Sequence, residues 1–272
     1  MRHFCILMIT LVISMGCANS VFYSSPDKKT YGEGLQWLQS DSGNQLAFRW
    51  YKPENASKGI IVHFHGNSSD LDSASEKVSW LKNYGYDVFV FDYSGFGYSA
   101  GKAKDYILHQ DALSVLGYVD NVRKQQQKPV YVISTSTGAN VFLRAWIEHP
   151  LPVDGVLLDS AYSSYIDIAS YTLKQSSTGF LYAWLSPLFI RDKYSISSID
   201  TPLPSSHFLI AHCIEDRVVS VNYSRDIFNA VSGNKQLLLL SGCRHAQAFT
   251  NKHPEYQDKL IHWLKNIEFR KY

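Results

Sequence analysis

An α/β architecture, with a mostly parallel, doubly wound sheet and helices on both faces, is what two features of the sequence predict. Short, nearly all-apolar runs alternate along the chain with stretches of helical spacing, the pattern of strands buried on both faces and joined by crossover helices. The conspicuous polar residues follow those runs: His65-Gly66-Asn67, Asp92, Ser136, Asp159, Asp216 and His245. Chemistry in such sheets collects at the carboxyl ends of the strands, so the two features support one another.

The elements follow in order. Residues 46–51 alternate and predict a strand. Residues 59–65 form a β-branched apolar run closed by Gly66 and Asn67, and a helix is expected over about 70–84. Residues 87–92 are the next strand, running into the turn-rich Ser94–Ser99. Residues 105–123 have helical spacing at Ile107, Ala112, Val115, Leu116, Val119 and Val122. A strand at 129–134 leads to a helix at 139–149 that Pro150 stops. Strands at 153–158, 207–211 and 236–240 and a last helix at about 254–267 complete the pattern.

With 45% apolar residues, 18% charged residues and a net charge of +2, the chain can build a core but is not basic enough to suggest a nucleic-acid partner. Its first residues read as a targeting segment. Met1, Arg2 and His3 precede an apolar run, Phe4–Ile13, that is too short to span a bilayer comfortably. Ser14-Met15-Gly16-Cys17 resembles a bacterial lipobox. That resemblance implies removal of residues 1–16, acylation of Cys17 as the new N-terminus and a membrane tether. Ala18 after the cysteine resembles the sorting signal for the outer membrane, hence an exported protein of the bacterial envelope facing the periplasm. An ordinary cleaved signal peptide is the alternative. Residues 17–34 are expected to be an extended linker and 35–272 the folded domain.

Ser134-Thr135-Ser136-Thr137-Gly138 lies between a predicted strand and helix, the context of a nucleophile elbow, although Ser134 stands where that motif has its first glycine. A serine hydroxyl needs an adjacent base, and the base needs an orienting group. Of ten histidines, His245 alone combines the end of the final strand with a glycine turn. Asp216 and Asp159 are both placed to serve as the acid. Asp216, after the penultimate strand, is favoured, with Asp159 read as a cap of the segment after it and Glu215 pointing elsewhere. An oxyanion would be met by the backbone N–H groups of Asn67 and Thr137. His63 and His65 form an H-x-H pair, but Gly66-Asn67-Ser68-Ser69 follows instead of further ligands, so neither a metal nor a cofactor is expected.

On His65-Gly66-Asn67, Asp92–Ser99, the elbow around Ser136, Asp216 with Val218 and Val219, and His245, the chain resembles the α/β-hydrolase superfamily from about residue 35 onward. Within it, the chain is most similar to the small-lid group of Bem46-like proteins and protein depalmitoylases. Ser94, where that group usually has arginine, and Ser134 are departures. The resemblance implies a serine hydrolase acting on carboxylic esters or thioesters through an acyl-enzyme. Peptidase activity and a non-catalytic binding protein on the same fold are the rival readings. Residues 162–195 sit where the superfamily inserts its lid and hold Tyr165, Tyr171, Phe180, Leu181, Tyr182, Trp184, Leu185, Leu188 and Phe189. They read either as a helix packed on the core or as a short cap over an apolar acyl pocket. Cys213 and Cys243 are either two buried thiols or, if their strands are neighbours, a disulfide joining the loops of Asp216 and His245.

Overall fold

The computed structural model describes residue 23, residues 28–175, residues 177 and 181, and residues 183–269. Residues 1–16, Cys17, part of the 17–34 linker, Phe180 and Tyr182 lie outside the described residues, as does the side chain of Phe189.

Eight strands form one sheet: β1 (Gln36–Gln39), β2 (Gln45–Tyr51), β3 (Ile60–Phe64), β4 (Asp87–Phe91), β5 (Val130–Thr135), β6 (Gly155–Asp159), β7 (His207–Cys213) and β8 (Lys235–Leu240), in the order β1-β2-β4-β3-β5-β6-β7-β8. The β1–β2 and β2–β4 pairs are antiparallel and every other pair is parallel. Every residue of β3, β4, β5 and β6 is buried, which is why these strands read as continuous apolar runs. Alternation sends successive side chains to opposite layers. Ile60, Val62 and Phe64 pack with Leu108, Val115, Phe142 and Trp146 on one face, whereas Ile61 packs with Leu71, Val78, Trp263 and Leu264 on the other.

The helices are α1 (Leu71–Val78), α2 (Asp105–Gln126), α3 (Thr137–Glu148), α4 (Tyr165–Gln175), the short α5 (Ser186–Phe189), α6 (Val221–Ala230) and α7 (Pro254–Phe269). The single helix expected over 70–84 is divided. Asp70 caps α1 by accepting from Ser73 N at 2.9 Å while Ser73 Oγ accepts from Asp70 N at 3.0 Å. A 3-10 turn then runs from Ser79 to Tyr84 and ends at Gly85, whose φ of 94° suits glycine. β1 and α6 were not predicted. Among the described residues no helix is long and apolar enough to cross a membrane.

Candidate active site

Ser136 occupies the turn between β5 and α3 at φ 52°, ψ −119°, a conformation that costs a non-glycine residue about 1–3 kcal/mol and persists only where its surroundings enforce it. Those surroundings are visible. Ser136 N donates to Asp159 O at 2.9 Å, and Ala139 N donates to Ser136 O at 3.0 Å. At Gly138 a Cβ would overlap the carbonyl oxygens of Phe64 and His65, so this turn requires glycine there. Ser134, fully buried, is accommodated in place of the first elbow glycine because its hydroxyl donates to Leu157 O at 3.3 Å.

His245 follows β8 and brings Nε2 to 3.2 Å from Ser136 Oγ, with Nδ1 2.7 Å from Asp216 Oδ2. Asp216 follows β7. Its Oδ1 accepts from Val218 N at 2.8 Å and Val219 N at 2.9 Å. Burial alone would raise its proton affinity. Hydrogen bonds from His212, His245 and Val219 outweigh that and hold the carboxyl well below the usual range. The three residues that sequence spacing singled out therefore converge on one hydrogen-bonded chain. Glu215 turns aside to accept from Gly242 N at 3.1 Å.

Asp159 does not cap the segment after it. Its carboxylate accepts from Ser160 Oγ at 3.0 Å, and Ser160 Oγ in turn accepts from Ala246 N at 3.1 Å, bracing the loop that carries His245. The first turn of α4 is held instead by Asp192, which accepts from Tyr165 N at 2.6 Å and Ile166 N at 3.2 Å. Burial raises the Asp159 carboxyl above its ordinary range, which suits it poorly to stabilising an imidazolium.

β7 and β8 are neighbours, with Cys213 opposite Leu240, and Cys213 and Cys243 are joined by a disulfide with Cα atoms 5.4 Å apart. Of the two readings of these cysteines, the bridge is the one formed. The buried His63 and His65 hydrogen-bond to Thr135 Oγ1 at 3.3 Å and Gly66 O at 2.8 Å, and burial lowers the proton affinity of both. Among the described residues no cluster of three or more His, Cys, Asp or Glu is arranged to hold a metal.

A pocket of about 590 Å³ opens over Ser136. Asn67, Thr137 and His245 are among its polar lining residues, and Ile168, Ala169, Leu173, Ile190 and Val219 among its apolar ones. Four of those apolar lining residues come from the 162–195 segment, whose buried Tyr162, Tyr165 and Ile168 cluster with Val219. Ser136 N is already committed to Asp159 O at 2.9 Å, and Asn67 and Thr137 line the pocket beside Ser136. Sequence reasoning overlooked Tyr162, whose hydroxyl pairs with Thr137 Oγ1 at 2.9 Å. It also overlooked Asn140, which joins α3 to Tyr162 O at 2.9 Å and Ile196 N at 2.8 Å. His212 was missed too; a fully buried histidine near the end of the apolar run of β7 was its available signal. Ser94, the departure from the arginine of the resembling group, accepts from Asn44 Nδ2 at 3.0 Å and donates its N–H to the buried Asp111 at 2.8 Å.

A family model, Hydrolase_4 (serine aminopeptidase, S33), matches residues 55–199, just over half of the chain. The chain belongs to this α/β-hydrolase family. The matched stretch contains Asn67, Ser136 and Thr137; Asp216 and His245 lie beyond it and are placed by geometry. The chain is 27% identical over 256 residues to YfhR, an uncharacterised protein of Escherichia coli O157:H7, covering 89% of this chain and 86% of that protein. It is also 27% identical over 215 residues to the mouse lysophosphatidylserine lipase ABHD12, covering 73% of this chain and 51% of that one. The Pyrococcus furiosus esterase Pf2001 has a similar structure, with TM-score 0.68 and 17% identity over 89% of this chain and 98% of that one. So has a soluble variant of the Saccharomyces cerevisiae monoglyceride lipase, with TM-score 0.69 and 16% identity over the same shares. At such identities these two structures speak to the fold alone.

Proposed function

We propose that this α/β hydrolase cleaves carboxylic ester or thioester bonds by two-step acyl transfer, with lipid-like acyl esters as its substrate class. The observation that carries the proposal is the chain Ser136 Oγ–His245 Nε2–His245 Nδ1–Asp216, at 3.2 and 2.7 Å, with Ser136 and His245 lining a pocket that Ile168, Leu173, Ile190 and Val219 also line. His245 takes the proton of Ser136 as the oxygen attacks the carbonyl carbon. Asp216 fixes the tautomer in which Nε2 is the base and stabilises the imidazolium. The N–H groups of Asn67 and Thr137 receive the developing oxyanion. His245 then returns the proton to the leaving alcohol or thiol. Water, activated by the same imidazole, releases the acyl group. The scheme needs no cofactor.

An aminopeptidase reading follows from the name of the family model, but it requires an anion to hold the free α-amino group of a peptide. Among the described residues lining the pocket there is no carboxylate. Apolar walls favour an acyl chain instead, and lipase relatives such as ABHD12 point in the same direction. Export and acylation of Cys17 would place such an enzyme at its lipid substrates. The Cys213–Cys243 bridge supports an oxidising compartment. Incorporation of an alkyne fatty acid into the wild type but not Cys17→Ser is the test of the tether. For the chemistry, the test is fluorophosphonate labelling followed by acyl esters of graded length. The expected result is labelling abolished by Ser136→Ala and turnover that improves with acyl length.

A further inference from the structure

The carboxylate of Asp216 has a second imidazole against it. His212, the penultimate residue of β7, is fully buried and places Nε2 3.2 Å from Asp216 Oδ2, the same oxygen that His245 Nδ1 meets at 2.7 Å. His212 Nε2 also lies 3.0 Å from Val219 O. A carboxylate oxygen and a carbonyl oxygen both accept, so Nε2 must carry a hydrogen. Nδ1 faces Ser224 Oγ at 2.5 Å, and the hydroxyl of Ser224, itself fully buried, can turn its hydrogen toward that nitrogen. Ser224 projects from α6, so a line of polar contacts runs from α6 through His212 to Asp216, His245 and Ser136.

We propose that His212 is a positioning residue for the reacting set, its Nε2–H fixing the plane of the Asp216 carboxylate and drawing charge from the oxygen that faces His245. The inference rests on the assignment of Ser136, His245 and Asp216 made above. Asp216 needs such support, because it sits in a short loop whose neighbours Ile214, Glu215, Arg217 and Val218 are all exposed. The backbone N–H groups of Val218 and Val219 satisfy only Oδ1. Without His212, Oδ2 would have His245 alone, and the carboxylate could follow the imidazole as it moves between Ser136 and the leaving group.

The groups facing this pair are few. Asp159, at the end of β6, acts electrostatically with both His212 and His245, and Lys77 lies close enough to act on Asp159. Cys213 is bridged. On α6, Arg225 and Asp226 are exposed. On the acid loop, Glu215 and Arg217 are exposed as well, and Glu215 is directed to Gly242 N. Among the described residues, His212 and His245 are the side chains that place a ring nitrogen against the Asp216 carboxylate, both at Oδ2, at 3.2 and 2.7 Å.

A carboxylate that loses one donor becomes a stronger partner for an imidazolium, so protonated His245 would persist to higher pH. The test compares wild type, His212→Leu and His212→Gln in the full-length protein, with rates expressed per fluorophosphonate-titrated site so that unfolded protein does not count. For His212→Leu, kcat is expected to fall about tenfold with KM little changed, and the acid limb of kcat/KM to move up by about half to one pH unit. For His212→Gln, whose side-chain amide N–H reaches the place of Nε2, both are expected to return toward wild type. A purely structural role would lower the number of titrated sites and leave the per-site rate and the acid limb unmoved; that result would overturn the proposal. Nitrogen-15 NMR of the imidazoles in Ser136→Ala gives a readout without turnover: His212 should be protonated at Nε2, and a bare Nε2 would overturn the proposal whatever the kinetics. Failure of the wild type to label would instead remove the underlying assignment, and the positioning role with it.

Discussion

Breaking the Cys213–Cys243 bridge should loosen the two loops that carry the acid and the base. The bridge closes a loop of sequence separation 30. In the chain-entropy account that corresponds to about 3.6 kcal/mol of restraint on the unfolded chain. For a domain of this size each kcal/mol shifts the melting temperature by about 2–4 °C, so the loss amounts to roughly 7–14 °C. Cys213 lies three residues before Asp216 and Cys243 two before His245, so the effect should reach activity well before global unfolding. The assay is guanidinium unfolding of wild type and of Cys213→Ala/Cys243→Ala, with ester hydrolysis measured at temperatures below both transitions. The double variant should show an earlier midpoint and a lower rate, and dithiothreitol should shift only the wild type. Both sulfurs are buried, so reduction should be slow until the protein opens. An unreduced peptide map with the two cysteines unlinked, or coincident midpoints for the two proteins, would refute the argument.

Other expectations follow from the same geometry. Asp216→Asn should lower kcat/KM by about 10³- to 10⁴-fold by favouring the wrong imidazole tautomer, whereas Asp159→Asn should stay within about tenfold; equal losses in a pre-steady-state assay would mean that the acid has been misassigned. Burial pushes the Asp92 carboxyl up to about 7. The folded state therefore holds that proton more tightly than the unfolded chain, and this contribution to stability is lost as pH rises from about 4 to 7. Asp92→Asn has no such proton to lose, so its stability relative to wild type should climb over that range in denaturant titrations and then level off; a flat difference would contradict the burial argument. Ala169→Trp would fill the pocket and should shift the kcat/KM ratio of long to short acyl esters downward by about tenfold, checked with a p-nitrophenyl ester series.

The central sheet was legible because β3 to β6 are buried on every residue and so carry unbroken apolar runs. Ser136, Asp216 and His245 were legible because strand ends are where such sheets place their polar groups. β1 was not, since Gln36, Trp37 and Gln39 are exposed on the edge of the sheet and show little apolar signal. α6 escaped because Ser224 and Ile227 are its only fully buried residues, too few for a recognisable stripe. The cysteines left two readings open because their pairing depends on β7 and β8 being neighbours, a fact of topology and not of spacing. Asp159 was misread as a cap because a carboxylate after a strand has the same appearance whether it holds a helix or, through Ser160, the loop beside it. His212 was passed over because its role arises only when the Asp216 loop folds back against the strand that carries it.

The most direct test of the whole account is intact-mass spectrometry of the purified protein after exposure to a fluorophosphonate, beside Ser136→Ala. The account predicts a single adduct on the wild type, mapping to the peptide that contains Ser136, and none on the variant. A folded wild-type protein that takes no adduct, or a Ser136→Ala protein that takes one equally well, would contradict it.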